Sequence, residues 1–254
     1  VGFEATYQAL IASLVGNIPG VQGILGNIPN VTAIPHFTTI PFAPLDPANP
    51  NFGPLIPTLN GQFAGLNQVF AALGVPERSI TFNEEAASAV VIKDESLVDL
   101  SAQISGALQA GGLDPGTAAV FGLLYGQARQ ANENDLLVLP SSSIIGQVNT
   151  NAVATLTGLG VPSANAQQLA VNGVTFPLED KWVLTPEEQE EIETATIAFN
   201  SIIEAAATAN GFALLDANTL LDQLSTSGIE TSGVVLNSNL VTGGAFSLDG
   251  VHPT

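Results

Sequence analysis

The sequence predicts an α/β fold, a mostly parallel sheet lying between helices. Three observations predict it. Short apolar runs bounded by turn residues recur at 21–28, 136–139 and 212–216, the pattern of strands buried on both faces. Segments with apolar residues at helical spacing lie between them. The chain then closes on a long helix followed by a strand, the alternation from which layered α/β folds are built. At 254 residues, 46% of them hydrophobic, the chain is long enough to bury a sizeable core.

Taken in order, Phe3, Tyr7, Leu10, Ile11 and Leu14 mark an amphipathic helix over 3–15. Residues 21–28 read as a buried parallel strand. Seven prolines between 35 and 57 predict a long irregular loop. Helical spacing resumes over 59–73, and again over 97–108 and 117–130, with short strands predicted at 80–82 and 89–92. Residues 136–139 form a strongly apolar strand candidate, and 150–180 are mixed. Thr185-Pro186-Glu187-Glu188 is a helix start, with a capping Thr, a Pro at the first helical position and a Glu to complete a capping box. That helix runs to about Ala209 and stops at Asn210-Gly211. Residues 212–216 read as another buried strand, and 229–246 as a hairpin with turns near 237–239 and at Gly243-Gly244.

The charge balance excludes several functions. There are 23 acidic residues against four basic ones (Arg78, Lys93, Arg129, Lys181), a net charge of -19. Nucleic-acid binding needs a basic footprint, and none exists. Attraction to anionic lipid surfaces is disfavoured for the same reason. The chain has no Cys, hence no disulfide framework and no thiolate metal site. No apolar run is long enough for a transmembrane helix. Abundant Asn, Thr, Ser and Gly with almost no Lys suit an exported protein.

Asp249-x-x-His252-Pro253 is the motif that carries chemistry. An imidazole serves as general base when a carboxylate on its second ring nitrogen fixes its tautomer and stabilises the imidazolium that forms. A three-residue offset can place both side chains on one face of a turn. Spacing alone leaves a plain alternative: Asp249 as a local cap and His252 as a surface residue.

The segment Phe246-Ser247-Leu248-Asp249-Gly250-Val251-His252-Pro253-Thr254 closely resembles the last motif block of GDSL-type (SGNH) serine esterases and lipases. Residues 21–42 also resemble the strand and loop that follow the oxyanion Asn block in bacterial members with a large insertion. The resemblance implies a three-layer, SGNH-hydrolase-like (flavodoxin-like) fold. It implies hydrolysis of a carboxylic ester, from a small molecule or a lipid, through an acyl-serine, with His252 as general base and Asp249 orienting it. It implies no cofactor and no metal. The family's Gly-Asp-Ser nucleophile motif does not occur here, nor do its oxyanion Gly and Gly-x-Asn-Asp blocks. On this reading the nucleophile and oxyanion hole are not in this chain but upstream of Val1. Residues 1–254 then form a single truncated domain, its N-terminal strand and helix missing, with an inserted helical cap at about 41–135, and inactive alone. The expected location is periplasmic, outer-membrane lipoprotein or secreted. Oligomeric state stays open. So do two other readings: a non-catalytic exported surface or adhesion domain, and a carbohydrate O-acetyl esterase.

Other candidates carry less. His36, just past a predicted strand, is placed where doubly wound sheets bind ligands, and with Phe37 and Phe42 it is a candidate lining of an acyl pocket. Ser141, Ser142 and Ser143 follow an apolar strand but lack Gly-x-Ser-x-Gly, so they read as a polar strand end. The acidic run 187–193 reads as the solvated, favourably charged start of a helix.

Overall fold

The computed structural model describes residues 2–254. In chain order the elements are α1 (Phe3–Asn17), β1 (Ile24–Gly26), α2 (Pro35–Thr38), α3 (Ile56–Ala72), β2 (Val91–Lys93), α4 (Ser101–Ala110), α5 (Pro115–Tyr125), β3 (Ala128–Gln130) and β4 (Leu136–Leu137). They continue with α6 (Thr150–Gly158), α7 (Ser163–Leu169), β5 (Val183–Leu184), α8 (Pro186–Asn210), β6 (Ala213–Leu215), α9 (Ala217–Thr226), β7 (Ile229–Thr231) and β8 (Val234–Leu236). The class is mixed α/β with small sheets. Where the sequence predicts a mostly parallel sheet, the described residues form four two-stranded sheets, and only β1–β6 is parallel. The chain divides into two compact units: residues up to Thr39 together with Pro186–Thr254, and Ile40–Thr185. The sequence placed an insertion at about 41–135.

In the first unit β1 and β6 run in parallel register, Ile24 opposite Ala213 and Gly26 opposite Leu215. They are the two apolar runs flagged at 21–28 and 212–216, shortened to three residues each. Both were predicted buried, yet Ile24 is 71% and Leu215 49% exposed. The reason is that parallel strands are buried only when elements cover both faces; α8 packs against this pair, but β1 and β6 have no third strand among the described residues. Helix α1 packs on α8, with the Phe3 and Phe199 rings 4.3 Å apart. The predicted stop of α8 is observed: Asn210 is its last residue and Gly211 takes φ +68°. Asp216 caps α9 by accepting from the Thr219 N–H at 3.0 Å. The predicted hairpin turns earlier than expected, at Ser232-Gly233 (φ +51° and +80°), because the left-handed pair there makes the two-residue turn that fits strand twist.

The second unit holds the larger core. Helix α3 starts three residues before its predicted onset, with Pro57 in its first turn, and buries Ile56, Leu59, Phe63, Leu66 and Phe70 on one face. These meet β2, whose Val91 and Ile92 are fully buried, and β3, its antiparallel partner. The predicted helix over 117–130 ends at Tyr125, since the chain must extend to pair Ala128–Gln130 with β2. Helices α4 and α5 approach so closely that a Cβ on Gly122 would lie 2.3 Å from the Ser101 carbonyl oxygen. Residues 150–180, unassigned from sequence, form α6 and α7 around Ala152, Leu156, Ala166 and Ala170. No helix among the described residues is long and apolar enough to cross a membrane.

Candidate functional site

The C-terminal motif is a short closed loop in the first unit. Phe246 and Pro253 form an antiparallel bridge, and the Ser247 N–H donates to the His252 carbonyl at 2.8 Å. Within the loop the Gly250 N–H donates to the Ser247 carbonyl at 3.0 Å. Gly250 takes φ +70°, and a Cβ there would lie 2.8 Å from the His36 nitrogen. Glycine is therefore required twice over, by backbone conformation and by close approach. The His36 N–H donates to the Gly250 carbonyl at 3.0 Å, so the start of α2 braces the loop.

Inside the loop the two oxygens of Asp249 divide their tasks. Oδ1 accepts from the Ser247 hydroxyl at 2.5 Å, the Val251 N–H at 2.9 Å and the His252 N–H at 3.0 Å. Oδ2 lies 2.7 Å from Nδ1 of His252. The Ser247 hydroxyl first, then the His252 ring and the two backbone N–H groups, hold the Asp249 carboxyl well below the usual carboxylate range. An ionised carboxylate can only accept, so Nδ1 carries the hydrogen and Nε2 of the neutral ring is the free acceptor. That is the tautomer a general base needs. The pair is open to solvent, with the His252 side chain 78% and that of Asp249 50% exposed. A pair so exposed adds little stability; its geometry is held by the loop's backbone bonds. Among the described residues no hydrogen bond reaches Nε2.

His36 and Phe37 sit together on α2, ring centroids 5.0 Å apart and edge to face, both half-buried. The structure thus brings the backbone of His36, the residue named as a pocket lining, to the loop of Asp249 and His252. Phe42 lies in the other unit and packs against its core. Ser141 is fully buried with its hydroxyl unpartnered, while Ser142 and Ser143 donate to the carbonyls of Leu139 and Pro140 at 2.9 and 2.8 Å. All three belong to a 3-10 helix over 139–143. Asp46 accepts from the Ala48 N–H at 2.8 Å in a local turn. Among the described residues no group of three or more His, Asp or Glu is gathered to hold a metal ion.

Sequence reasoning missed two features. Ser247 is the closest donor to Asp249, and its position two residues before the carboxylate was the available signal. The second is an amide network at the carboxyl ends of β1 and β6. Asn27 donates to Asp216 at 2.8 Å and accepts from the Asn218 N–H at 2.9 Å. Asn200 bonds both the N–H and the carbonyl of Ile28, at 2.7 and 2.8 Å. These residues line a polar cleft of about 530 Å3, which Glu193, Glu204 and Asp222 make acidic. The ends of parallel strands are where open α/β sheets place ligands. Comparison with protein families, with curated proteins and with solved structures finds no match to this chain.

Proposed function

We propose that these residues carry the acid–base half of a serine ester hydrolase of the GDSL (SGNH) type. The observation that carries the reading is the 2.7 Å contact between Asp249 Oδ2 and His252 Nδ1, which leaves Nε2 facing solvent as a free acceptor. The motif block 246–254 and the parallel pair β1–β6 support it, the pair as part of a three-layer, flavodoxin-like sheet. The reading requires, beside an oxyanion Gly and Asn whose motifs residues 1–254 lack, a nucleophilic serine whose Gly-Asp-Ser motif they also lack. Its hydroxyl oxygen attacks the ester carbonyl carbon as its proton passes to Nε2 of His252. The tetrahedral intermediate collapses, expelling the alcohol, which takes that proton back; water then cleaves the acyl-serine by the same path. Such a base contributes roughly 10²–10⁴-fold in rate. The enzyme is exported and needs no cofactor.

His252→Ala in the full-length protein is expected to lower turnover of a simple aryl ester by at least the ~10² expected of a general base. Activity within a few-fold of the parent would sink the assignment. A second reading, a non-catalytic exported surface domain, is favoured by one observation: among the described residues the only serine hydroxyl bonded to the pair, that of Ser247, meets the carboxylate and not Nε2. A full-length protein with no ester hydrolysis before mutation decides for it.

A further inference from the structure

The second unit contains a cleft of about 820 Å3 lined only by its own residues. That lies within the ~300–1,000 Å3 of small-molecule sites. Its walls include Leu45, Leu55, Leu59, Ile145, Val171 and Val174, and three of these, Leu45, Leu59 and Val174, are core residues of the unit. Among the described residues the only aromatic lining it is Phe52, itself buried, so no exposed ring is offered for stacking a sugar or base. No Lys, Arg or His lines it, and its one charge is the Asp46 carboxylate, so an anionic ligand has no partner and a repelling neighbour. Its rim carries the exposed Gln62, Gln147, Gln167 and Gln168, whose side-chain amides make no hydrogen bond among the described residues. Free amides donate to a carbonyl oxygen without needing charge on it.

We propose that this cleft binds an uncharged acyl ester, its alkyl chain among Leu45, Leu59 and Val174 and its ester carbonyl at the glutamine rim. The choice of an ester as the polar head rests on the hydrolase reading; the aliphatic, uncharged character of the ligand rests on the lining alone. The cleft discriminates substrate from product. Hydrolysis adds water across the C–O bond and yields an alcohol and a carboxylic acid, and the acid ionises at neutral pH beside Asp46 with no cation to receive it.

Isothermal titration of the intact chain at pH 8 with methyl butanoate, hexanoate and octanoate tests this. Affinity is expected to rise about three- to fourfold per methylene. Sodium octanoate is expected to bind at least tenfold more weakly than methyl octanoate. Ala164→Trp, at an exposed position on α7 that lines the cleft, is expected to lower ester affinity at least tenfold without moving the unfolding midpoint. His252→Ala, in the other unit, is expected to bind methyl octanoate as the parent does. Failed hydrolysis and failed binding are therefore read separately. Equal affinity for ester and carboxylate, no dependence on chain length, or undiminished binding by a folded Ala164→Trp chain each overturns the proposal.

Discussion

Three donors converge on Oδ1 of Asp249, and the one side chain among them, Ser247, is the shortest contact. The two backbone N–H groups belong to the loop and survive most substitutions. Ser247 is therefore the side chain through which the carboxylate can be tuned without touching the His252 ring on Oδ2. Because Asp249 is held below the ordinary carboxylate value near 3.9, its ionised pairing with His252 is present at and above that value. It is lost only as pH falls through the depressed folded value. Ser247→Ala removes the largest of the causes, so the Asp249 titration is expected to move upward, toward the ordinary value. A 13Cγ NMR titration of the carboxyl carbon reads it directly. An unchanged midpoint would mean that the His252 ring and the backbone donors set the carboxylate without Ser247.

At the scale of elements, Arg129 clamps segments of the second unit together. Arg129, on β3, donates to Asp94 just after β2 at 2.6 Å and to both oxygens of Asp135, just before β4, at 2.6 and 2.8 Å. Both carboxylates are nearly inaccessible, 2% and 4% exposed. Burial pushes the Asp94 carboxyl up, but bonds from Ser96 and Arg129 outweigh it and hold it below its ordinary value. Arg129→Met strands two buried charges and is expected to cost about 3–5 kcal/mol in urea unfolding. Arg129→Lys recovers only part of this, since a point charge cannot bond both oxygens of Asp135 in a planar fork. A Met variant as stable as the parent would show that the cluster is incidental.

At the scale of the molecule, the two units are unequal. Both hydrophobic clusters lie within Ile40–Thr185, so that unit owns its core. Among the described residues the other buries the side chains of Ile11, Pro35, Ile203, Ala206, Ala207, Leu221 and Phe246, while Leu10, Ile24, Leu214 and Leu215 stay exposed. Residues 40–185 produced alone are expected to unfold in one cooperative thermal transition. In the whole chain, amides of α3 and β2 are expected to exchange with solvent more slowly than those of β1 and β6. A polypeptide of 40–185 without a transition, or β1 and β6 amides as protected as those of α3, would contradict this division of stability.

The chain by itself determined what depends on local chemistry. Helix α8 follows from Pro186, the glutamates of its first turn and the Asn210-Gly211 stop; β1 and β6 follow from their apolar runs; the Asp249–His252 pair follows from a three-residue offset closed by Gly250. The helix start and stop and the carboxylate–imidazole contact need only neighbours within a few residues. Tertiary structure alone decided which strands pair. It paired the run at 136–137 antiparallel with 183–184, across some fifty residues of intervening chain, and it cut the helix predicted over 117–130 at Tyr125 so that 128–130 could join β2. It also decided burial, leaving β1 and β6 exposed despite sequences apolar on both faces. The physical reason is that burial and strand pairing are properties of surfaces brought together from distant parts of a chain, whereas caps, turns and a carboxylate–imidazole contact are closed by residues already side by side.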